Sequence, residues 1–224
     1  ASSRDGTSRI WIKQLASGEE VALTAGRDFW PQISPDSGSV LFRRADKGET
    51  DLYRVPLVGG EPRRLASDIE LAGWSPDGKR IAVGRLQDSG SQILLIPAEG
   101  GEEQLLLELD AGVRGLDWSP DGASLLLVTA ARVNSISSTA LETVEVASGQ
   151  RHELYRLPAG SVTSAARWEG NAAVLFAWSP SQGGRRQSCL QGRARGDPTP
   201  RPGFPFTPRP GRIELAGPGA LLFD

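Results

Sequence analysis

One phrase recurs along this chain, and its spacing restricts the available folds more than any other feature. Around residue 74 it reads Gly73-Trp74-Ser75-Pro76-Asp77-Gly78-Lys79-Arg80-Ile81-Ala82-Val83. Pro76 pre-sets φ for the second position of a turn, Asp77 can bond its own backbone, and Gly78 tolerates positive φ, so Ser-Pro-Asp-Gly reads as a corner between two strands. The phrase returns at Trp118-Ser119-Pro120-Asp121-Gly122. It returns again at Ile33-Ser34-Pro35-Asp36-Ser37-Gly38, where one residue stands as an insertion before the glycine. A fourth copy, Trp168-Glu169-Gly170-Asn171, has lost the Pro-Asp corner. Aligned on Ile33, Trp74, Trp118 and Trp168, the copies lie 41, 44 and 50 residues apart.

Between corners stand hairpins of alternating apolar residues around Ser-Gly or Gly-Gly turns, at 9–25, 51–65, 92–107 and 141–155. Four short strands in each unit of about 40–50 residues predict an all-β fold, a β-propeller of four-stranded antiparallel blades. The expected divisions are a half blade at 9–25, blades at 29–66, 68–109 and 113–157, and a degenerate blade start at 162–180. Residues 181–211 are rich in Pro, Gly and Arg and predict little order. Residues 212–224 again carry two apolar runs about a Gly-Pro-Gly corner and could supply closing strands. About five blades are visible, as a closed small propeller or as a fragment of a six- to eight-bladed one.

Composition excludes several functions. With 25 basic and 27 acidic residues the net charge is −2, so no overall basic field attracts nucleic acid or anionic lipid. The balance is uneven: residues 185–224 carry +4 and residues 1–184 carry −6. One cysteine, Cys189, rules out an intrachain disulfide, and one histidine, His152, rules out a multi-His metal site. No apolar run approaches a membrane span, so no direct membrane insertion is expected. The chain has no methionine and begins within the repeat pattern, which suggests a piece of a longer reading frame or a mature product.

No catalytic, cofactor-binding or metal-binding residue is expected. A Gly-x-Ser-x-Gly elbow, a Walker loop and a dinucleotide fingerprint are all lacking. The turn residues Ser34, Pro35, Asp36, Ser75, Pro76, Asp77, Gly78, Ser119, Pro120, Asp121 and Gly122 are expected to be structural. The three aspartates should sit at separate corners, too far apart to share a proton or a cation. Trp74, Trp118 and Trp168 are expected to pack between blades. His152 reads as a half-exposed strand residue, and the pairs Arg43-Arg44, Arg63-Arg64 and Arg185-Arg186 as solvated faces.

The Trp-Ser-Pro-Asp-Gly phrases at 74–78 and 118–122, each followed about 20 residues on by a Gly-Gly or Ser-Gly hairpin, resemble the WD40-like Pro-Asp repeat of TolB-like β-propellers. The resemblance covers roughly residues 9–180. It implies a propeller of six or more blades, of the kind found in periplasmic TolB, in extracytoplasmic regions of bacterial Ser/Thr kinases, and as the lid of prolyl-oligopeptidase-type serine peptidases. It also favours a periplasmic or extracytoplasmic location. The implied function is a non-catalytic module that binds a protein or peptide partner through its loop faces or central channel. The alternatives are an accessory propeller of a peptidase and the sensor region of a kinase. Loops vary most at 44–50, 86–91 and 129–139, and the longest, Thr129 to Thr139, is the expected partner contact.

Overall fold

The computed structural model describes residues 1–3, 6–14, 16–133, 136–157, 159–169, 173–180, 188–193, 201–202, 213–215 and 221–223. All regular structure among them is β. Two compact units divide the chain, Ala1–Leu109 and Asp110–Asp224.

The first unit opens with a hairpin, β1 (Trp11–Lys13) and β2 (Glu20–Ala22). A four-stranded sheet follows: β3 (Asp28–Ile33), β4 (Ser39–Asp46), β5 (Glu49–Pro56) and β6 (Arg63–Ala66). A second sheet holds β7 (Leu71–Trp74), β8 (Arg80–Gln87), β9 (Gly90–Pro97) and β10 (Gln104–Leu109). In the second unit β11 (Gly112–Trp118), β12 (Ser124–Val133), β13 (Ile136–Glu145) and β14 (Arg151–Arg156) form a third sheet. The fourth comprises β15 (Ser161–Glu169), β16 (Ala173–Pro180), β17 (Ser188–Arg193) and β18 (Arg201–Pro202). β19 (Ile213–Leu215) and β20 (Leu221–Phe223) make a final hairpin. β17 and β18 fall within the Pro/Gly/Arg-rich stretch 181–211, whose other residues lie outside those described.

In each four-stranded sheet the strands pair antiparallel in chain order, the meander of a propeller blade. Inner-strand alternation is weak because both faces of a blade are covered. Leu41, Leu52, Leu65 and Ala66 of the first blade bury against Ile69, Ile81, Val83, Leu94 and Ile96 of the second, with Ala72 and Trp74 at the margin. Each fully buried aliphatic side chain here stabilises by about 1.5–3 kcal/mol. Ile10 and Leu23 of the hairpin segment pack on the first blade's other face, with Val40, Phe42 and Val55. In the second unit Leu126, Val128, Leu141 and Leu157 meet Ala166, with Trp168 beside them.

Two sequence expectations are corrected. Residue 37 is no insertion: Ser37 itself occupies the left-handed position, at φ 58°, that Gly78 and Gly122 fill at 70° and 69°. Its N–H donates to Ser34 O at 2.8 Å, as Gly78 donates to Ser75 and Gly122 to Ser119. The loops at 44–50, 86–91 and 129–139 are also not loops. β4 and β5 pair as far as Asp46↔Glu49, and Lys47 and Gly48 make the turn with both φ positive. β12 and β13 pair from Ser124↔Glu145 to Val133↔Ile136, so the longest connection is an extended ladder. Thr129 and Thr139 are buried within it, and its tip, 134–135, lies outside the described residues.

Candidate functional site

The three intact corners share one hydrogen-bond set. Ser34, Ser75 and Ser119 are buried, and each hydroxyl donates to the aspartate two residues on, at 2.5, 2.6 and 2.7 Å. The same hydroxyls accept from the backbone N–H of Ser39, Arg80 and Ser124, each at 2.9 Å. The carboxylates of Asp36, Asp77 and Asp121 accept from the N–H of Gly38, Lys79 and Ala123. The serine hydroxyl first, and then the N–H, hold the carboxyls of Asp36 and Asp77 below their ordinary value of 3.8. Pro35, Pro76 and Pro120 lead each turn. The first two corners lie side by side, since a Cβ on Gly78 would lie 3.7 Å from Pro35. Each carboxylate is nonetheless engaged by its own turn. Among the described residues no group of three or more His, Cys, Asp or Glu could hold a metal ion.

The tryptophans differ in depth. Trp118 is 6% exposed, whereas Trp74 and Trp168 are half-buried against the clusters described above. Ile33, in the same repeat position, is 61% exposed. The residue before this position carries a contact that the sequence reading missed. Gln32 donates to Ala72 O at 2.8 Å and its carbonyl accepts from Trp74 Nε1 at 3.4 Å, joining β3 to β7. Asp117, the matching residue on β11, accepts from the Trp168 N–H at 2.9 Å and joins β11 to β15. Burial pushes the Asp117 carboxyl up, against the opposing pull of Arg167 and the backbone N–H groups of Trp168 and Trp118.

Arg43 and Arg44 are not a solvated face. β4 is an interior strand, so successive side chains enter opposite covered faces. Arg44 forms a bidentate pair with the fully buried Asp28, Nε to Oδ1 at 2.6 Å and Nη2 to Oδ2 at 3.0 Å, and lies 4.7 Å over the Tyr53 ring. This pairing raises its pKa. Arg43, 8% exposed, points to the junction of the first two blades, where Nη1 donates to Glu70 O. Its guanidinium lies 4.1 Å from the Trp30 ring centre and 5.0 Å from that of Phe29. Burial lowers its pKa, partly offset by the Glu70 carboxylate. Trp30 sits in a bulge of β3 at φ 55° and is 55% exposed. Arg63 and Arg64 are exposed, and Arg64 pairs with Asp51 at 3.1 Å. His152 lies on β14 opposite Thr143 and is exposed.

Four-stranded meander blades, three of them turning from first to second strand at a Ser-Pro-Asp corner, define a β-propeller fold like that of TolB. Solved structures agree on the fold. TolB from Acinetobacter baumannii superposes with a TM-score of 0.63 at 20% identity, over 82% of this chain and 45% of that one. The β-propeller domain of the Trilobed protease from Pyrococcus furiosus, described as having an open velcro topology, gives 0.58 at 19% identity, over 79% and 57%. In sequence, the chain is 29% identical over 124 residues to the uncharacterized peptidase YuxL of Bacillus subtilis strain 168, which is 55% of this chain and 16% of that protein. The chain thus spans a minor part of that relative. No protein-family model matches the sequence.

Proposed function

We propose that this chain is a non-catalytic propeller module that binds a protein or peptide partner. One observation carries the reading. The repeat's polar residues are consumed by their own corners and blade junctions, whereas the edge strand β3 leaves Trp30 and Ile33 more than half exposed. Large exposed apolar groups on a rigid strand suit recognition better than bond-breaking chemistry.

A second reading, an accessory propeller of a peptidase, is supported by the similarity to YuxL and by the Trilobed protease propeller. One experiment addresses both. The purified chain is assayed with peptide esters, titrated with a set of short peptides, and added to an α/β-hydrolase domain from the adjoining reading frame, if that frame encodes one. The module reading expects peptide binding with no turnover. The accessory reading further expects the added chain to change which peptide lengths the hydrolase cleaves. Turnover by the chain alone, abolished by changing one serine, would overturn the non-catalytic assignment.

A further inference from the structure

We propose that Arg43, Trp30 and Phe29 form a site for a peptide carboxylate carried beside an aromatic or aliphatic side chain, with Glu70 as an exchangeable placeholder. The inference rests on the peptide-binding reading and names the chemistry of the ligand.

Arg43 is a buried cation with too few partners. Its one hydrogen bond runs from Nη1 to a backbone carbonyl, and its Nε is buried without any partner. Arg44, the next residue, shows what a satisfied guanidinium looks like in this sheet: two parallel bonds to a buried carboxylate. The carboxylate beside Arg43 is Glu70 Oε2, at 4.0 Å, beyond hydrogen-bond reach and on a side chain 57% exposed. A loosely held, exposed carboxylate next to a desolvated guanidinium is easily replaced by a ligand's.

The blade repeat does not require this arrangement. Counting from the corner serines, the place of Arg43 is taken by Gly84 in the second blade and Val128 in the third, and the place of Trp30 by Leu71 and Gly115. Both residues are therefore individual to the first blade. Trp30 is also held at a backbone angle that costs a bulky residue energy, with its ring against the guanidinium and half its surface in water. Strain at an exposed aromatic beside an under-partnered charge is the arrangement expected of a recognition site. The ring offers an apolar shelf, and the guanidinium offers planar donors at its edge.

The full chain is titrated by calorimetry with N-acetyl-phenylalanine, with its amide, and with the dipeptide N-acetyl-Phe-Glu-amide, whose carboxylate is on a side chain. At least one of the acids should bind about tenfold more tightly than N-acetyl-phenylalanine amide, the worth of a charge-assisted bond. The tighter of the two identifies the carboxylate as terminal or side-chain. Arg43→Gln should abolish the preference but can also loosen the blade junction. Glu70→Gln, on the surface, keeps the test clean: removing the competing carboxylate should tighten acid binding about threefold and leave the amide unchanged. Equal binding of acids and amide, no binding of any probe, or acid binding unchanged or weakened by Glu70→Gln would overturn the site. If longer peptides still bind in that case, the module reading stands without it.

Discussion

The Asp117 carboxylate accepts a hydrogen bond from the backbone N–H of Trp168, 51 residues later in the chain, and so ties the edge strands of two successive blades. Burial raises its pKa above 3.8, so the folded state holds the proton more tightly than the unfolded chain does. Between 3.8 and that raised value the native state binds more protons, and stability falls as pH rises through this window. Asp117→Asn keeps an acceptor and removes the penalised charge. It should match or exceed wild-type stability at pH 7 and flatten this part of the pH dependence in urea unfolding. Asp117→Ala strands the Trp168 N–H and should cost about 1–3 kcal/mol.

Ser37 provides a second test. At φ 58° it occupies the position that Gly78 and Gly122 occupy in the other corners, with the same hydrogen bond from its N–H. Left-handed backbone costs an L-residue about 1–2 kcal/mol, partly offset by the lower entropy of the unfolded serine relative to glycine. Ser37→Gly should therefore stabilise by about 0.5–1 kcal/mol. Gly78→Ala should destabilise by about 1–2 kcal/mol, both read from the shift in denaturation midpoint at constant slope.

The corners were the most legible part of the fold because turn chemistry is local: Ser, Pro and Asp act on backbone within five residues of themselves. Locality also explains the error at Ser37, since matching glycine to glycine required an insertion that the hydrogen bonds do not contain. What the sequence concealed is long-range. Arg43 and Arg44 read as a polar pair, and only the covering of β4 on both faces sends one to Asp28 and the other to Glu70 and Trp30. Gln32 and Asp117 fall in the same repeat position, directly before Ile33 and Trp118, so the register that exposed the corners also contained the blade clamp. Their different chemistries hid it. The stretch from Thr129 to Thr139 read as a loop because Ser and Thr interrupt its apolar pattern, although β-branched threonine suits a ladder.

Acid should weaken the corners in the opposite sense to Asp117. The carboxyls of Asp36 and Asp77 are held below 3.8 by a serine hydroxyl and a backbone N–H. Their contribution is complete above the unfolded value of 3.8 and is lost as pH falls through the lower folded values. Carboxyl-carbon NMR titration should place both below 3.8, and Ser75→Ala should move Asp77 back towards it while leaving Asp36 unshifted. Equal movement of both resonances would contradict the local account.

Gly26 supports the buried pair of the first blade. A Cβ at this position would lie 2.5 Å from Arg44 Nε and 2.9 Å from its Cζ, closer than atoms tolerate. The Gly26 N–H also donates to Asp28 Oδ2 at 3.2 Å, so the glycine both binds the carboxylate and leaves room for the guanidinium. Gly26→Ala forces Arg44 aside and leaves Asp28, which is fully buried, with a weakened partner. Overpacking and partial loss of a buried pair together should cost about 1–3 kcal/mol, rising towards 3–5 kcal/mol if the pair breaks outright. Arg44→Met in the Gly26→Ala background separates the two: it removes the clash but leaves Asp28 charged and unpaired. Adding Asp28→Asn to that double variant should then recover stability in guanidinium unfolding, because the uncompensated charge is gone. If Gly26→Ala alone is silent, the Arg44–Asp28 pair does not constrain the entry to β3.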